Sequence, residues 1–208
     1  MVFAIVMTVL VGYLLGNLNG AVCMSHLVAH EDVRSRGSGN AGLTNFARNY
    51  GGLSSLGVVL IDGSKAVVAC LLGGLMLQNY LGWLAGMAVG GAAVMLGHDF
   101  PALLGFKGGK GILSGAVISF MLDWRIGLIL LGVFVTLYLI SGYVSLGSVF
   151  GSLTFGVCFV LFHSNDPVVM FCGAGMSALA VFMHRGNVAR LLKGQERKTN
   201  LFKKGTKK

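Results

Sequence analysis

Gly111-Ile-Leu-Ser-Gly-Ala-Val-Ile-Ser-Phe-Met-Leu122 carries no charged side chain over its whole length, and its reading decides the fold. It is the shortest of six stretches free of Asp, Glu, Lys and Arg. The others are 1–30, 49–61, 66–98, 126–165 and 167–184. Such runs are foreign to a soluble domain, where charged residues make up about a quarter of the chain. Here they make up 11% of 208 residues, with 55% hydrophobic and a mean hydropathy of +0.79. Disorder is excluded by the same figures, because a disordered chain lacks the apolar surface to collapse.

A crossing helix needs about 20 apolar residues. The stretch 126–165 therefore holds two spans, divided at Ser141-Gly142-Tyr143, and Pro167 opens a further one. The stretch 1–30 holds one span over Val2 to Cys23, read as a retained helix because no basic residues precede it. The stretch 66–98 is expected to divide at Gln78-Asn79-Tyr80. The helix before that division must then start near Leu53 and carry Asp62 and Lys65 within the membrane.

Charge decides the dozen residues of 111–122. If they cross, the basic segments 34–48, 107–110 and 185–208 all lie on one side, which then holds fourteen of the sixteen Lys and Arg residues. If they do not, the asymmetry expected of cytoplasmic loops dissolves. The sequence thus predicts an all-α integral membrane protein, one polytopic domain over 1–208 with seven transmembrane helices, amino terminus outside and carboxyl terminus in the cytoplasm. The 33 glycines are about twice the usual share, and Gly82, Gly86 and Gly90 recur on one helical face, as close helix packing requires. Cys23, Cys70, Cys158 and Cys172 all lie in apolar runs and read as small buried hydrophobes. Net charge +9 points to anionic head groups or phosphorylated substrates, with no nucleic-acid partner expected.

The cytoplasmic segments 34–48, 98–111 and 184–196 read as active-site segments, and 197–208 as a basic tail attracted to anionic lipid. In the first, glycines free the backbone to gather N–H groups on an anion. Ser38, Asn40, Thr44 and Asn45 add neutral donors, and Arg48 adds a guanidinium fork. In the second, Lys107-Gly-Gly-Lys110 places two ammonium groups at the mouth of a helix. Its spacing is not that of a nucleotide-binding P-loop. In the third, Asn187 is expected to cap a short helix bearing Arg190 and Lys193, and Glu196 follows. Asp62 and Lys65, three apart on one face, are expected to form a structural ion pair under the site.

The runs GSGNAGLTN with Arg48, GHDFPALLGFKGGKG and HRGNVARLLKGQE, with Asp62-x-x-Lys65 and Ser145-Leu-Gly-Ser148, resemble the motifs of the bacterial acyl-phosphate:glycerol-3-phosphate acyltransferases, the PlsY family. Ala41 stands where the family usually has proline, and Ala66 where it usually has glycine. The resemblance implies transfer of a fatty acyl group from acyl phosphate to the 1-hydroxyl of glycerol 3-phosphate at the bacterial cytoplasmic membrane, by a monomer bathed in membrane lipid. It implies that Ser38, Asn40, Lys107 and Ser145 surround the acyl phosphate, that Arg48, His184 and Asn187 surround glycerol 3-phosphate, and that Lys110 serves either. Lys107, Ser38 and His184 then form the catalytic set, with Thr44, Asn45 and Glu196 among the binding residues. The proton acceptor is either His184 or the acyl phosphate's own oxygens. No cofactor or metal is implied. A transporter of organic phosphates is the competing class, although its usual internal repeats and midplane charges are not evident. A lipid-binding scaffold would not need three polar glycine-rich loops.

Overall fold

The structure, a computed structural model, describes residues 1–199, and among them it is all-helical. The helices are α1 (Val2–Asn17), α2 (Gly20–Ala29), α3 (Leu43–Tyr50), α4 (Ser55–Leu81), α5 (Trp83–Asp99), α6 (Ile112–Leu122), α7 (Trp124–Ser141), α8 (Val144–Phe162), α9 (Pro167–Met183) and α10 (Arg185–Leu192). Five apolar stretches are long enough to cross a membrane: α1 with α2, α4, α5 with its following turn, α7 and α8. The pair α9 and α10, bent by 52°, makes a sixth. Helix α6 has 11 residues, a reach of roughly 16 Å against a hydrocarbon core of about 30 Å. The expected basic residues at 203–208 lie outside the described residues.

Local chemistry sets most boundaries. Asp166 caps α9 through Val168 and Val169 N–H, with proline in the first turn, and Gly142 ends α7 in the left-handed conformation. Two expected boundaries move. Helix α4 runs on through Gln78-Asn79-Tyr80 to Leu81, and the chain turns instead at Gly82, whose φ is +86°. The first span breaks after Asn17. There Asn19 starts a new helix, its side-chain oxygen accepting from Val22 N–H at 3.0 Å.

Helix α5 is the spine. A Cβ at Gly90 would lie 2.2 Å from the Ala69 carbonyl oxygen of α4, one at Gly86 2.4 Å from that of Gly73, and one at Gly97 2.1 Å from that of Tyr13 in α1. Backbone thus touches backbone on two sides of α5. Gly82, expected on the same packing face, has nothing within 4 Å and is the turn residue. Gly90→Ala is expected to lower stability by roughly 1–3 kcal/mol, the usual cost of overpacking, read as a lower Tm in detergent. Gly132→Ala, where nothing lies within 4 Å, should leave Tm unchanged or raise it. Equal effects would show that the α4–α5 contact is not tight. An apolar core of Val94, Met95, Ile118, Ile126, Phe155 and Phe159 ties α5 to α6, α7 and α8.

The break between α1 and α2 would leave polar backbone groups in an apolar setting without partners. Asp62 and Lys65 of α4 meet them. Gly20 N–H donates to Asp62 Oδ1 at 3.0 Å, and Lys65 Nζ donates to the carbonyls of Leu18 (2.6 Å) and Gly16 (3.2 Å). The two side chains pair at 2.8 Å, with 2% and 3% of their surface exposed. The expected structural ion pair is present, with the partnering of a broken helix as its task.

Candidate active site

The third polar segment, the second through Lys110 and Asn187, and the start of α8 meet at Glu196. Its side chain is 6% exposed. Oε1 accepts from Ser145 Oγ at 3.0 Å and Asn187 Nδ2 at 2.8 Å, and Oε2 accepts from Arg190 Nε at 2.7 Å. Burial raises the Glu196 pKa, but the bonds from Asn187, Arg190 and Ser145 outweigh it and hold the carboxyl below its ordinary value. Asn187 passes the connection on, its Oδ1 accepting from Lys110 Nζ. A chain of contacts therefore runs from the glycine-lysine loop through α10 to the start of α8.

Asn187 was expected to cap the short helix. It lies instead inside α10, whose first turn follows His184, and its amide is spent on Lys110 and Glu196. His184 is buried at the α9–α10 bend, with Nδ1 2.8 Å from the Ala180 carbonyl. A carbonyl can only accept, so Nδ1 carries a proton, and in the neutral ring Nε2 keeps its lone pair. That is the tautomer a proton acceptor needs.

The lysines differ sharply. Lys107 is exposed, and its carbonyl accepts from Arg34 Nη1 at 3.2 Å. Lys110 is the one tied into the cluster, and its pKa is pushed down to about 8 by burial and then by Arg190, with Glu196 opposing and Arg48 adding to the fall. The resemblance implied Lys107 for the acyl phosphate and left Lys110 to serve either substrate; both lysines flank the same glycines, and burial separates them. The loop itself is clamped to the end of α5, Gly108 N–H donating to the Asp99 carbonyl (3.2 Å) and Gly109 N–H to that of His98 (3.0 Å).

The first segment divides in two. Gly37 and Gly39 have positive φ and begin a turn, while Leu43–Tyr50 is helical. Asn45 is buried inside the turn: its Nδ2 donates to the carbonyls of Val33, Arg36 and Asn40, and its Oδ1 accepts from Ser38 N–H at 2.9 Å. The amide expected to meet substrate therefore shapes the loop. Ser38 is exposed, Asn40 and Thr44 are half-buried, and Thr44 and Arg48 share one face of α3, four apart. Arg34, to which the sequence gave no role, bonds the Leu104 carbonyl at 2.7 Å and so joins the first segment to the second. Its only signal is Asp32 two positions earlier, which holds the guanidinium at 2.7 Å.

Residues 195–199 lie across this cluster as a strap. Thr199 N–H donates to the Gly142 carbonyl at 3.0 Å, Tyr138 OH donates to the Thr199 carbonyl at 2.9 Å, and the Arg48 guanidinium reaches Thr199 Oγ1. Three cations (Arg48, Lys110 and Arg190) thus gather around one carboxylate and several neutral donors. Such a group suits anionic oxygens that can displace weak internal contacts.

The family model described as glycerol-3-phosphate acyltransferase matches residues 6–194. A glycerol-3-phosphate acyltransferase of Thermoanaerobacter sp. (strain X514) is 37% identical over 193 residues, covering 93% of this chain and 94% of that protein. One from Finegoldia magna is 36% identical, covering 91% and 93%. Among solved structures, the glycerol 3-phosphate form of PlsY (YgiH), an integral membrane glycerol 3-phosphate acyltransferase, superposes with a TM-score of 0.84 at 28% identity, covering 96% of this chain and 99% of that one. Its lysophosphatidic acid form gives 0.81 at 27% identity.

Proposed function

The chain belongs to the glycerol-3-phosphate acyltransferase family and is an integral membrane acyltransferase, and from that premise we propose the donor, the residue roles and the topology. The donor is acyl phosphate. The 1-hydroxyl oxygen of glycerol 3-phosphate attacks the acyl carbonyl carbon, the new ester C–O bond forms, and the bond to the phosphate oxygen breaks with its electron pair going to phosphate. The products are lysophosphatidate and inorganic phosphate. The hydroxyl proton passes to the departing phosphate or to His184 Nε2. Both substrates bring a phosphate to one membrane face while the acyl tail stays in lipid, so two anion sites are needed side by side. One observation supports this reading most: the Lys110–Asn187–Glu196–Ser145 chain joins segments remote in sequence beside Arg48.

Lys110, Ser145 and the glycine-rich turn with Ser38 and Asn40 hold the acyl phosphate, with Lys107 steering it from the rim. Lys110 stabilises the oxyanion as it develops. Arg48, Thr44, His184 and Asn187 receive glycerol 3-phosphate. Glu196 orients Asn187, Ser145 and Arg190. Purified protein given acyl phosphate and labelled glycerol 3-phosphate should yield lysophosphatidate and phosphate in equal amounts, and acyl coenzyme A should not substitute. Equal turnover with acyl coenzyme A would overturn the donor assignment. Uptake of unmodified glycerol 3-phosphate into vesicles with no ester formed would favour the transporter.

Arg48→Ala should raise the KM for glycerol 3-phosphate by at least about tenfold, given roughly 1.5–3 kcal/mol for a charge-assisted bond. Arg48→Lys keeps the charge but loses the fork. An Arg48→Lys enzyme equal to wild type would reduce Arg48 to a topological charge.

In this reading the protein is a monomer of the bacterial cytoplasmic membrane that crosses it seven times, α6 being the thin crossing and the amino terminus lying outside. A cysteine at Asn165, introduced into a cysteine-free background, should then react with an impermeant thiol reagent in intact cells. One at Lys204 should be protected. The reverse pattern would refute the orientation.

A further inference from the structure

His98 belongs to none of the roles above, although it is buried and central. It lies in the last turn of α5, with 5% of its side chain exposed. Its Nδ1 stands 2.8 Å from Lys65 Nζ and 3.5 Å from Asp62 Oδ1. The Nδ1 edge of the ring is thus held against the ion pair, and Nε2 marks its opposite edge. That opposite edge of the ring faces Gly109: a Cβ on Gly109 would lie 2.1 Å from Nε2 and 2.9 Å from Cδ2. The backbone is tied at the same place, with Gly109 N–H donating to the His98 carbonyl at 3.0 Å. A Cβ at Gly108 would lie 2.0 Å from that carbonyl oxygen. The imidazole is therefore a spacer of fixed length. One end rests on the ion pair that partners the α1–α2 break, and the other on the residue preceding Lys110.

We infer that His98 is a positioning residue, through which the buried Asp62–Lys65 pair fixes the turn that carries Lys107 and Lys110. The inference rests on the proposed phosphate-holding role of that turn and adds a mechanism for its accuracy. Lys110 reaches Asn187 from a glycine turn whose backbone is bonded to the end of α5 at Gly108 and Gly109 but whose glycines leave it room to tilt about those bonds. A side chain locked by a charge pair on one edge and packed against the turn on the other removes that freedom, as a well-supported site requires.

The test is a size swap read by steady-state kinetics with both substrates varied. His98→Asn keeps an acceptor for Lys65 and deletes the Nε2 edge. It should raise the KM for acyl phosphate several-fold, leave that for glycerol 3-phosphate within about twofold, and leave Tm close to wild type, since loss of support displaces one substrate site only. Gly109→Ala should cost at least about tenfold in kcat/KM for acyl phosphate in the wild-type background, and clearly less when His98 is Asn or Ala, because contacting residues couple. Relief will be partial, since the same methyl meets the Ala41 carbonyl oxygen at 2.9 Å. Equal cost of Gly109→Ala in all backgrounds would overturn the inference, as would both KM values rising together with a lower Tm. Lys110→Ala separates the two readings. If only His98→Asn leaves acyl-phosphate kinetics unchanged, the inference is overturned and the role of the turn stands; if Lys110→Ala does so as well, the phosphate-holding role itself has failed.

Discussion

Lys110→Ala is expected to reduce kcat/KM by about 100-fold or more, mostly through kcat. On the proposed assignment the change removes a charge-assisted bond to substrate and a cation placed where negative charge grows in the transition state, and loss of one such donor costs roughly 10²–10³ in rate. It also leaves Glu196 and Asn187 without the cation that Asn187 now receives. Lys107→Ala, at an exposed position, should cost no more than about tenfold, in line with a rim charge that guides binding. The two losses in reverse order would restore the ranking that the sequence suggested. A pH profile gives a second check. Burial and the neighbouring guanidinium groups place the Lys110 pKa at about 8, so the ammonium form is present below that pH and lost above it. In the free enzyme kcat/KM should therefore decline above pH 8. Lys110→Arg, charged throughout, should abolish that decline whatever its absolute rate.

The second large effect concerns stability. Asp62→Ala or Lys65→Met breaks a pair whose members are 3% and 2% exposed, and removal of one member of a buried pair typically costs about 3–5 kcal/mol. Both proteins should accumulate poorly and unfold at much lower temperature. The informative variant is the double Asp62→Leu/Lys65→Met. An isolated buried pair is often replaced by apolar groups without loss. Here the double variant should stay well below wild type, because Gly20 N–H and the carbonyls of Gly16 and Leu18 lose their partners, at about 1–3 kcal/mol for each group left unsatisfied. A double variant as stable as wild type would show that the pair compensates only itself.

What could be read from the sequence was what is decided locally. Pro167, Gly142 and the absence of charge over long runs act on the chain within a few residues, so the α7–α8 and α8–α9 boundaries were legible. Gln78-Asn79-Tyr80 misled because polar side chains at a helix end need not end the helix, whereas positive φ at Gly82 does. The break at Leu18-Asn19 had a local signal in Asn17-Leu18-Asn19-Gly20 that the long apolar run masked, but the partners that satisfy it lie more than forty residues away on α4. The candidate site shows the same division. The three motifs announced anion binding by residue type. That Asn45 is consumed within its loop, that Lys110 and not Lys107 is drawn inward, and that His98 bridges α4 to the glycine turn all depend on which surfaces meet, and spacing along the chain does not contain that information.

The strap of residues 195–199 bears on how the enzyme is made. Membrane helices are delivered to the bilayer in order as the ribosome advances, so the early helices can insert before the strap has left the ribosome. Until Glu196 emerges, Ser145, Asn187 and Arg190 have no common partner, and until Thr199 emerges, nothing from this strap holds the Arg48 guanidinium. A nascent or prematurely terminated chain would thus be anchored in the membrane with the side chains that Glu196 and Thr199 gather still apart, and the candidate site would be completed only after the scaffold is in place.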